Sequence, residues 1–216
     1  MNEDSTSDEK LELSQKAMRK EREREGHRLA ILKAAEVVFG RNGFHGATIE
    51  EIARESGYAV GTLYNFFKNK EDLYTHVIVS HHEDLTRRFD EALASGQGTV
   101  DTLGLLLDLL LTHFTEHQSF VRIFFQSSEG PLMNSLPSEI RRFHTHYSQS
   151  LLDLFQRGTR SGEIVKLDPQ LLAFCFEGFI SAIVRCWALG DFKEPLSTLS
   201  QNARQTFRTI LRTQGA

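Results

Sequence analysis

From Leu29 onward the apolar positions recur at helical spacing, and the strict alternation that marks a strand is nearly absent. Leu29, Ile31, Leu32, Ala35, Val38 and Phe39 form a first stripe that stops at the turn Arg41-Asn42-Gly43. A short helix is expected after Thr48 and a second after a turn at Gly57. A long one begins after Asn69 and runs through Leu73, Val77, Leu85 and Phe89 to Ser95-Gly96. Helical segments follow at 99–117, 119–128 and 138–161, with Gly130, Pro131 and Pro137 as breakers between the last two. Asp168-Pro169 opens a further helix, because an acidic cap followed by proline suits a first turn, and Pro195 opens the last. All four prolines sit at element edges, where a missing N–H costs little. The chain reads as all-α.

Charge changes this picture more than composition does. The formal net charge of -4 speaks against a globally basic binder, yet residues 16–70 carry 11 Lys and Arg against 7 Asp and Glu. Positive charge therefore gathers in the N-terminal third, where a phosphate-binding surface is to be sought. Residues 1–25 read as a charged, largely disordered or helical extension, first acidic and without apolar period, then basic at Lys16, Arg19, Lys20, Arg22 and Arg24. It reads either as a solvated helical extension or as a basic arm reaching toward DNA. Cys175 and Cys186 are too few for a disulfide framework and lie in an apolar run, so both are expected as reduced, buried hydrophobes in a cytoplasmic protein. The apolar runs at 103–111 and 171–189 are interrupted by Asp108, Glu177 and Arg185 and read as buried helices, with no membrane span.

The most informative stretch runs from Thr48 to Phe67. Thr48 and Glu51 stand at capping-box spacing: the threonine oxygen accepts from the N3 amide while the glutamate returns to the cap N–H. Ile52 and Ala53 face inward, the alanine allowing a second helix to cross closely, and Gly57 supplies a turn that a Cβ would resist. Leu63 and Phe67, four apart, bury the second helix against the first. Ala59, Val60, Thr62, Tyr64 and Asn65 are left facing outward, small or polar side chains suited to a major groove. Asn69 caps the long helix, and Lys70 lies in its first turn.

The stretch Gly43-Phe44-His45-Gly46-Ala47-Thr48-Ile49-Glu50-Glu51-Ile52-Ala53, then Gly57, then Gly61-Thr62-Leu63-Tyr64-Asn65-Phe66-Phe67-Lys68-Asn69-Lys70-Glu71-Asp72-Leu73 resembles the DNA-binding domain of the tetracycline-repressor (TetR) family over roughly residues 28–75. The resemblance implies a helix-turn-helix domain over 26–72 and a helical ligand-binding and dimerisation domain over 73–216. It also implies that Thr48, Tyr64 and Lys70 hold phosphates, while Ala59, Val60, Gly61, Thr62 and Asn65 approach base edges. Many relatives have serine in place of Ala59, a polar or basic residue in place of Val60 and histidine in place of Phe66. Readout here is therefore expected to lean on thymine methyls and DNA shape.

Aromatic residues crowd the second half, and most of them must be core. Val77, His81, Phe114, Phe124, Tyr147 and Phe179 are the expected walls of an effector site. Stripes on the last two helices, Leu171, Cys175 and Ala182 on one and Leu199, Ala203, Phe207 and Ile210 on the other, are suited to self-association. The resemblance assigns such a surface to a homodimer that sets two recognition helices on palindromic double-stranded operator DNA.

His113 and His117 lie one turn apart, with His76, His81 and His82 elsewhere, which raises a metal-sensor reading. Two histidines are not a site, and neither a metal nor a cofactor is expected. No nucleophile elbow or motif-placed triad is present, so no catalytic residues are expected and the chain does not read as an enzyme. The leading expectation is a regulator, most often a repressor in this family, released from its operator by a small apolar or amphipathic effector. The other reading is a helical ligand-binding or adaptor protein that no longer reads DNA, which Ala59 and Val60 keep open.

Overall fold

The structure is a computed structural model describing residues 4–127, 138–193 and 196–211, with side chains described from residue 14 onward except at 124–127, 197 and 198. The breakers at Gly130, Pro131 and Pro137, the helix-opening Pro195 and the side chain of Phe124 lie outside the described residues. Among the described residues the chain forms nine helices and no strand: α1 (Asp4–Gly46), α2 (Ile49–Ser56), α3 (Val60–Tyr64), α4 (Lys70–Leu93), α5 (Thr99–Glu116), α6 (Gln118–Ser127), α7 (Ser138–Ser161), α8 (Pro169–Leu189) and α9 (Leu196–Leu211). Contacts divide it into two compact units, Met1–Val77 and Ile78–Ala216, the division falling within α4.

In the first unit the apolar stripe of α1 packs on α2, with Ile31, Ala35, Val38, Phe39 and Ile52 removed from solvent. Leu29 does not join them and is exposed. Two residues are about 200° of helical turn, so Leu29 projects nearly opposite to Ile31. The first stripe also ends later than its turn signal suggests. Gly43 breaks the helical path with φ +70°, but a further turn follows to Gly46, and Ala47 N–H donates to Gly43 O at 3.1 Å. Tyr74, early in α4, packs edge-on against Phe39 and Phe44 at 5.1 and 4.9 Å between ring centres, tying α4 to α1.

The second unit is built around α5, whose Leu103, Leu106, Leu107, Leu110 and Leu111 are buried against α7, α8 and α9. Each such leucine contributes roughly 1.5–3 kcal/mol of apolar burial, which makes this helix the centre of the core. The first turn of α5 is capped from 63 and 64 residues away: Thr99 and Val100 N–H donate to the Glu163 carboxylate at 2.8 and 3.1 Å. Burial alone would raise the pKa of Glu163, but these donations outweigh it and hold the carboxylate below its usual range. Gly158 allows α7 to pass close by, since a Cβ there would lie 2.7 Å from the Thr99 side chain.

One face of α8 enters the core through Leu172, Phe176, Ile180, Val184 and Trp187. Its other face carries Leu171, Phe174, Cys175, Ala182, Cys186 and Leu189, all exposed, with Leu189 at 78%. Both cysteines are therefore surface thiols rather than buried ones: the apolar run 171–189 covers the whole circumference of a helix of which only one side is packed. By length and composition alone α8 is apolar enough to cross a membrane, in spite of Glu177 and Arg185. On α9, Ala203 and Phe207 point inward, Phe207 lying 5.0 Å from Phe176 between ring centres, whereas Leu199 and Ile210 are exposed. Ala203 and Phe207 thus belong to the chain's own core and not to a surface for self-association.

Gly57 has φ +75°, and its N–H closes α2 on Ala53 O and Arg54 O. Gly61 has no left-handed φ, and an added Cβ would meet nothing within 4 Å. Replacing Gly57 with alanine is expected to cost about 1–2 kcal/mol in urea unfolding, the strain of a left-handed non-glycine residue. Gly61→Ala is expected to leave the unfolding midpoint no lower than that of the parent protein.

Candidate DNA-binding surface and effector cavity

The geometry of the first candidate site starts from its caps. Glu51 N–H donates to Thr48 Oγ1 at 3.2 Å while Thr48 N–H donates to Glu51 Oε2 at 3.1 Å, the complete reciprocal box. Asn42 Nδ2 donates to the same carboxylate oxygen at 3.1 Å, which holds the start of α2 to the end of α1. The Thr48 oxygen is used as an acceptor, so its own O–H can still donate outward.

Gly57 then reverses the chain, and Leu63 and Phe67 anchor α3 by their burial. With those two turned inward, Ala59, Gly61, Tyr64 and Asn65 are exposed and Val60 and Thr62 half-buried, the tyrosine with 53% of its surface free. The α3 stretch thus presents a small, mostly apolar face with an amide and a phenol at its end.

Lys70 is held on the same side of the unit by the α4 start, where Asp72 N–H donates to Asn69 Oδ1 at 2.8 Å. Its ammonium donates to Ala47 O at 3.0 Å and sits 4.7 Å from the Phe44 ring centre. These contacts bring Lys70 beside Thr48, its neighbour through Ala47, and use only part of the ammonium's three-donor capacity. In the extension, Arg24 lies 5.9 Å over the Phe66 ring and His27 packs on Tyr58 at 5.0 Å, so the end of the basic run rests on the helix-turn-helix.

The second candidate site is a cavity of about 220 Å³ within the second unit, between α4, α5, α6, α7 and α8. Phe114 and Tyr147 line it, as the sequence suggests. Val77, His81 and Phe179 do not. The face of α4 that reaches the cavity carries His82 and Leu85, about 100° round the helix from Val77 and His81. Phe179 packs instead on Phe207, 5.6 Å between ring centres.

Most of the lining is apolar, and the polar exceptions are His82, His144, Glu177 and Ser181, with the Tyr147 hydroxyl. Beside Tyr147, which the sequence reading includes, Glu177 carries a usable signal as a charge within an otherwise apolar helix. His82 Nδ1 lies 2.8 Å from Ile78 O, which can only accept, so Nδ1 carries the proton and Nε2 is left as an acceptor. Burial pushes the His82 pKa down to about 4, with His144 and His81 adding to the effect against the Ile78 bond. Burial also raises Glu177, against a hydrogen bond from Ser148 Oγ at 3.3 Å, and raises the Tyr147 phenol, to which the Glu177 charge adds. At neutral pH the cavity therefore offers an uncharged imidazole and phenol beside one reluctant carboxylate.

Next to this wall, His81, His113 and His117 come together, their ligand atoms all within 4.8 Å of one another. The sequence shows two of these histidines as a pair and leaves the third apart. Only the packing of α4 on the end of α5 adds it.

Comparison with known proteins places these features in one group. Residues 31–77 match the model of bacterial regulatory proteins of the tetR family. The fatty acid metabolism regulator protein of Bacillus subtilis is 27% identical over 179 residues, 81% of this chain and 90% of that protein. The crystal structure of the transcriptional regulator FadR from Bacillus subtilis in complex with stearoyl-CoA has 24% identity and a TM-score of 0.73, covering 85% of this chain and 99% of that one, and it shares the fold. The HTH-type transcriptional regulator UidR of Escherichia coli is 30% identical over 140 residues, 63% of this chain and 70% of its own length. Matching residues and shared fold together establish that the chain belongs to the TetR family of bacterial transcriptional regulators.

Proposed function

We propose that this regulator docks on operator DNA through the outward face of α3, with Thr48, Tyr64 and Lys70 on phosphates and Ala59, Val60, Gly61, Thr62 and Asn65 toward base edges. The observation that carries the reading is the exposure of those α3 side chains in a helix fixed from behind by Leu63 and Phe67. An apolar face with a single amide favours contact with thymine methyls and backbone placement over bidentate pairing. The cavity takes the apolar part of an amphipathic effector, whose entry releases DNA. A volume of about 220 Å³ is compact beside the roughly 300–1,000 Å³ of common ligand sites, which suits an acyl segment or a fused ring system rather than a whole coenzyme conjugate. The co-crystallised FadR relative holds stearoyl-CoA, and a fatty-acyl chain is the effector class that fits this lining.

A homodimer is formed through the exposed face of α8, with Leu171, Cys175 and Ala182, together with Leu199 and Ile210 on α9. Glu177 and Arg185 flank that stripe, and an uncovered apolar face of this length on a helix is what a two-fold seam covers. Phe174, at 59% exposure, adds to it. In sedimentation, Phe174→Glu is expected to shift the protein from dimer to monomer with its helical circular dichroism intact. A dimer of unchanged affinity would remove α8 from the interface.

DNA docking is tested by selecting a duplex from a random pool and measuring its mobility shift as salt is raised. Combined Tyr64→Ala and Lys70→Ala is expected to weaken binding at least tenfold. It should also lower the slope of log K against log salt by about 0.9 for each phosphate that is no longer neutralised. Affinity and slope equal to those of the parent would exclude this docking surface. Filling the cavity with Ser181→Phe is expected to leave DNA affinity unchanged while abolishing release by a long-chain acyl-CoA. Release equal to that of the parent would place the effector elsewhere.

A further inference from the structure

The geometry points to a transition-metal site of zinc type in the second unit, formed by His81 of α4 with His113 and His117 at the end of α5. Three features argue for it, and none depends on the role of the cavity or on DNA binding. The first is spacing: His81 Nδ1 and His113 Nε2 are 3.3 Å apart. Two nitrogens bound to one ion at 2.0–2.1 Å and at a tetrahedral angle stand about 3.3–3.4 Å apart. The two imidazoles therefore already hold the separation that a shared ion requires.

The third nitrogen is within reach. His117 is the C-cap of α5, with φ -122° and ψ 55°, and is half-buried. Its ring centre lies 4.7 Å from that of His81 and 4.6 Å from that of His113. With ligand atoms no more than 4.8 Å apart across the three, a side-chain rotation at this helix end closes the set. Phe120 stacks on His81 at 4.1 Å between ring centres and shields that side from water.

The second feature is an acceptor behind the far nitrogen of His113, which is 1% exposed and whose Nδ1 has no hydrogen-bond partner in the chain. The Asp84 carboxylate lies 3.7 Å from that nitrogen, just beyond hydrogen-bond length, held in place by Arg87 at 2.7 Å and Arg88 at 3.5 Å. Such a carboxylate behind the far nitrogen of a ligating histidine is the usual second partner: it fixes Nδ1 as the protonated nitrogen and directs the lone pair of Nε2 at the ion. His113 Nε2 is the atom that faces His81.

The third is the chemistry of the donors. Imidazoles without a carboxylate ligand favour zinc, cobalt, nickel or copper and discriminate against magnesium and calcium. Three protein ligands leave a fourth position open. His81 Nδ1 and His113 Nε2 face each other at hydrogen-bond distance, so an ion that displaces the proton between them joins α4 to α5 through the metal.

The test uses full-length protein without a histidine tag, treated with EDTA and dialysed. Zinc chloride titrated in a calorimeter should bind at one ion per protomer with a dissociation constant of a micromolar or less, and cobalt(II) should give visible d–d absorption of a low-coordinate site. Magnesium chloride at a hundredfold excess should compete with neither. Because His113 is buried and its replacement threatens folding, the deciding variants are His117→Gln, at the half-exposed helix end, and Asp84→Asn. His117→Gln should weaken zinc binding at least tenfold and remove the cobalt spectrum, and Asp84→Asn should weaken binding by about 10–100-fold. Circular dichroism and the unfolding midpoint of both metal-free variants should match the parent. Absence of stoichiometric binding by the parent, or zinc affinity unchanged in His117→Gln, would overturn the site.

Discussion

The helix-turn-helix depends on one local constraint, the fixing of α2 at both ends. At its start, Thr48 and Glu51 satisfy each other's backbone amides, and Asn42 ties that carboxylate back to α1. At its end, Gly57 takes a left-handed turn that sends the chain into α3. The helix between them is only eight residues, too short to persist in water alone, so its caps and its burial on α1 supply its stability. Because both ends are set, Leu63 and Phe67 reach the interior, and Tyr64 is left exposed while Val60 and Thr62 are half-buried. Exposure of Ala59, Gly61, Tyr64 and Asn65 follows from packing rather than from their own chemistry.

The second unit solves a different problem. Its central helix α5 is surrounded, so the shape of the unit is decided by what packs on it: Glu163, in the turn after α7, caps its start, and Arg204 and Arg208 pair from α9 with Asp108 and Asp101. These exposed ion pairs are each worth only a few tenths of a kcal/mol and serve alignment more than stability. Where α4, α5, α6, α7 and α8 meet, a mostly apolar cavity is left, and burial disfavours the charged forms of His82 and Tyr147 at its wall. The histidine cluster lies on the neighbouring face of α4, one residue round from the cavity wall. A single helix thus carries adjacent sites with different chemistry, and the same helix begins in the DNA-binding unit at Lys70.

Much of this is legible in the sequence where the signal is local. Caps, turn glycines and the 3.6-residue period place the helices, and the spacing of Thr48, Glu51, Gly57 and Leu63 defines α2 and α3. Signals fail where burial depends on partners far along the chain. Leu29 has the look of a stripe residue but points away from it, and Ala203 and Phe207 fit a surface seam but fill the core beside Phe176. The cysteines on α8 read as buried because an apolar run says nothing about which of its faces is packed. The cavity wall turns on a single-residue step along α4, from His81 to His82, and the third histidine on the packing of two helices. Neither is visible to periodicity.

The central claim is that α3 meets DNA with its outward face. It is tested most directly by placing a photo-cross-linking amino acid at position 64, and separately at exposed position 167, in protein bound to a selected duplex. Cross-links to DNA from position 64 and none from 167 are the result that this account predicts. Equal or absent cross-linking from 64, with the duplex bound, would contradict it.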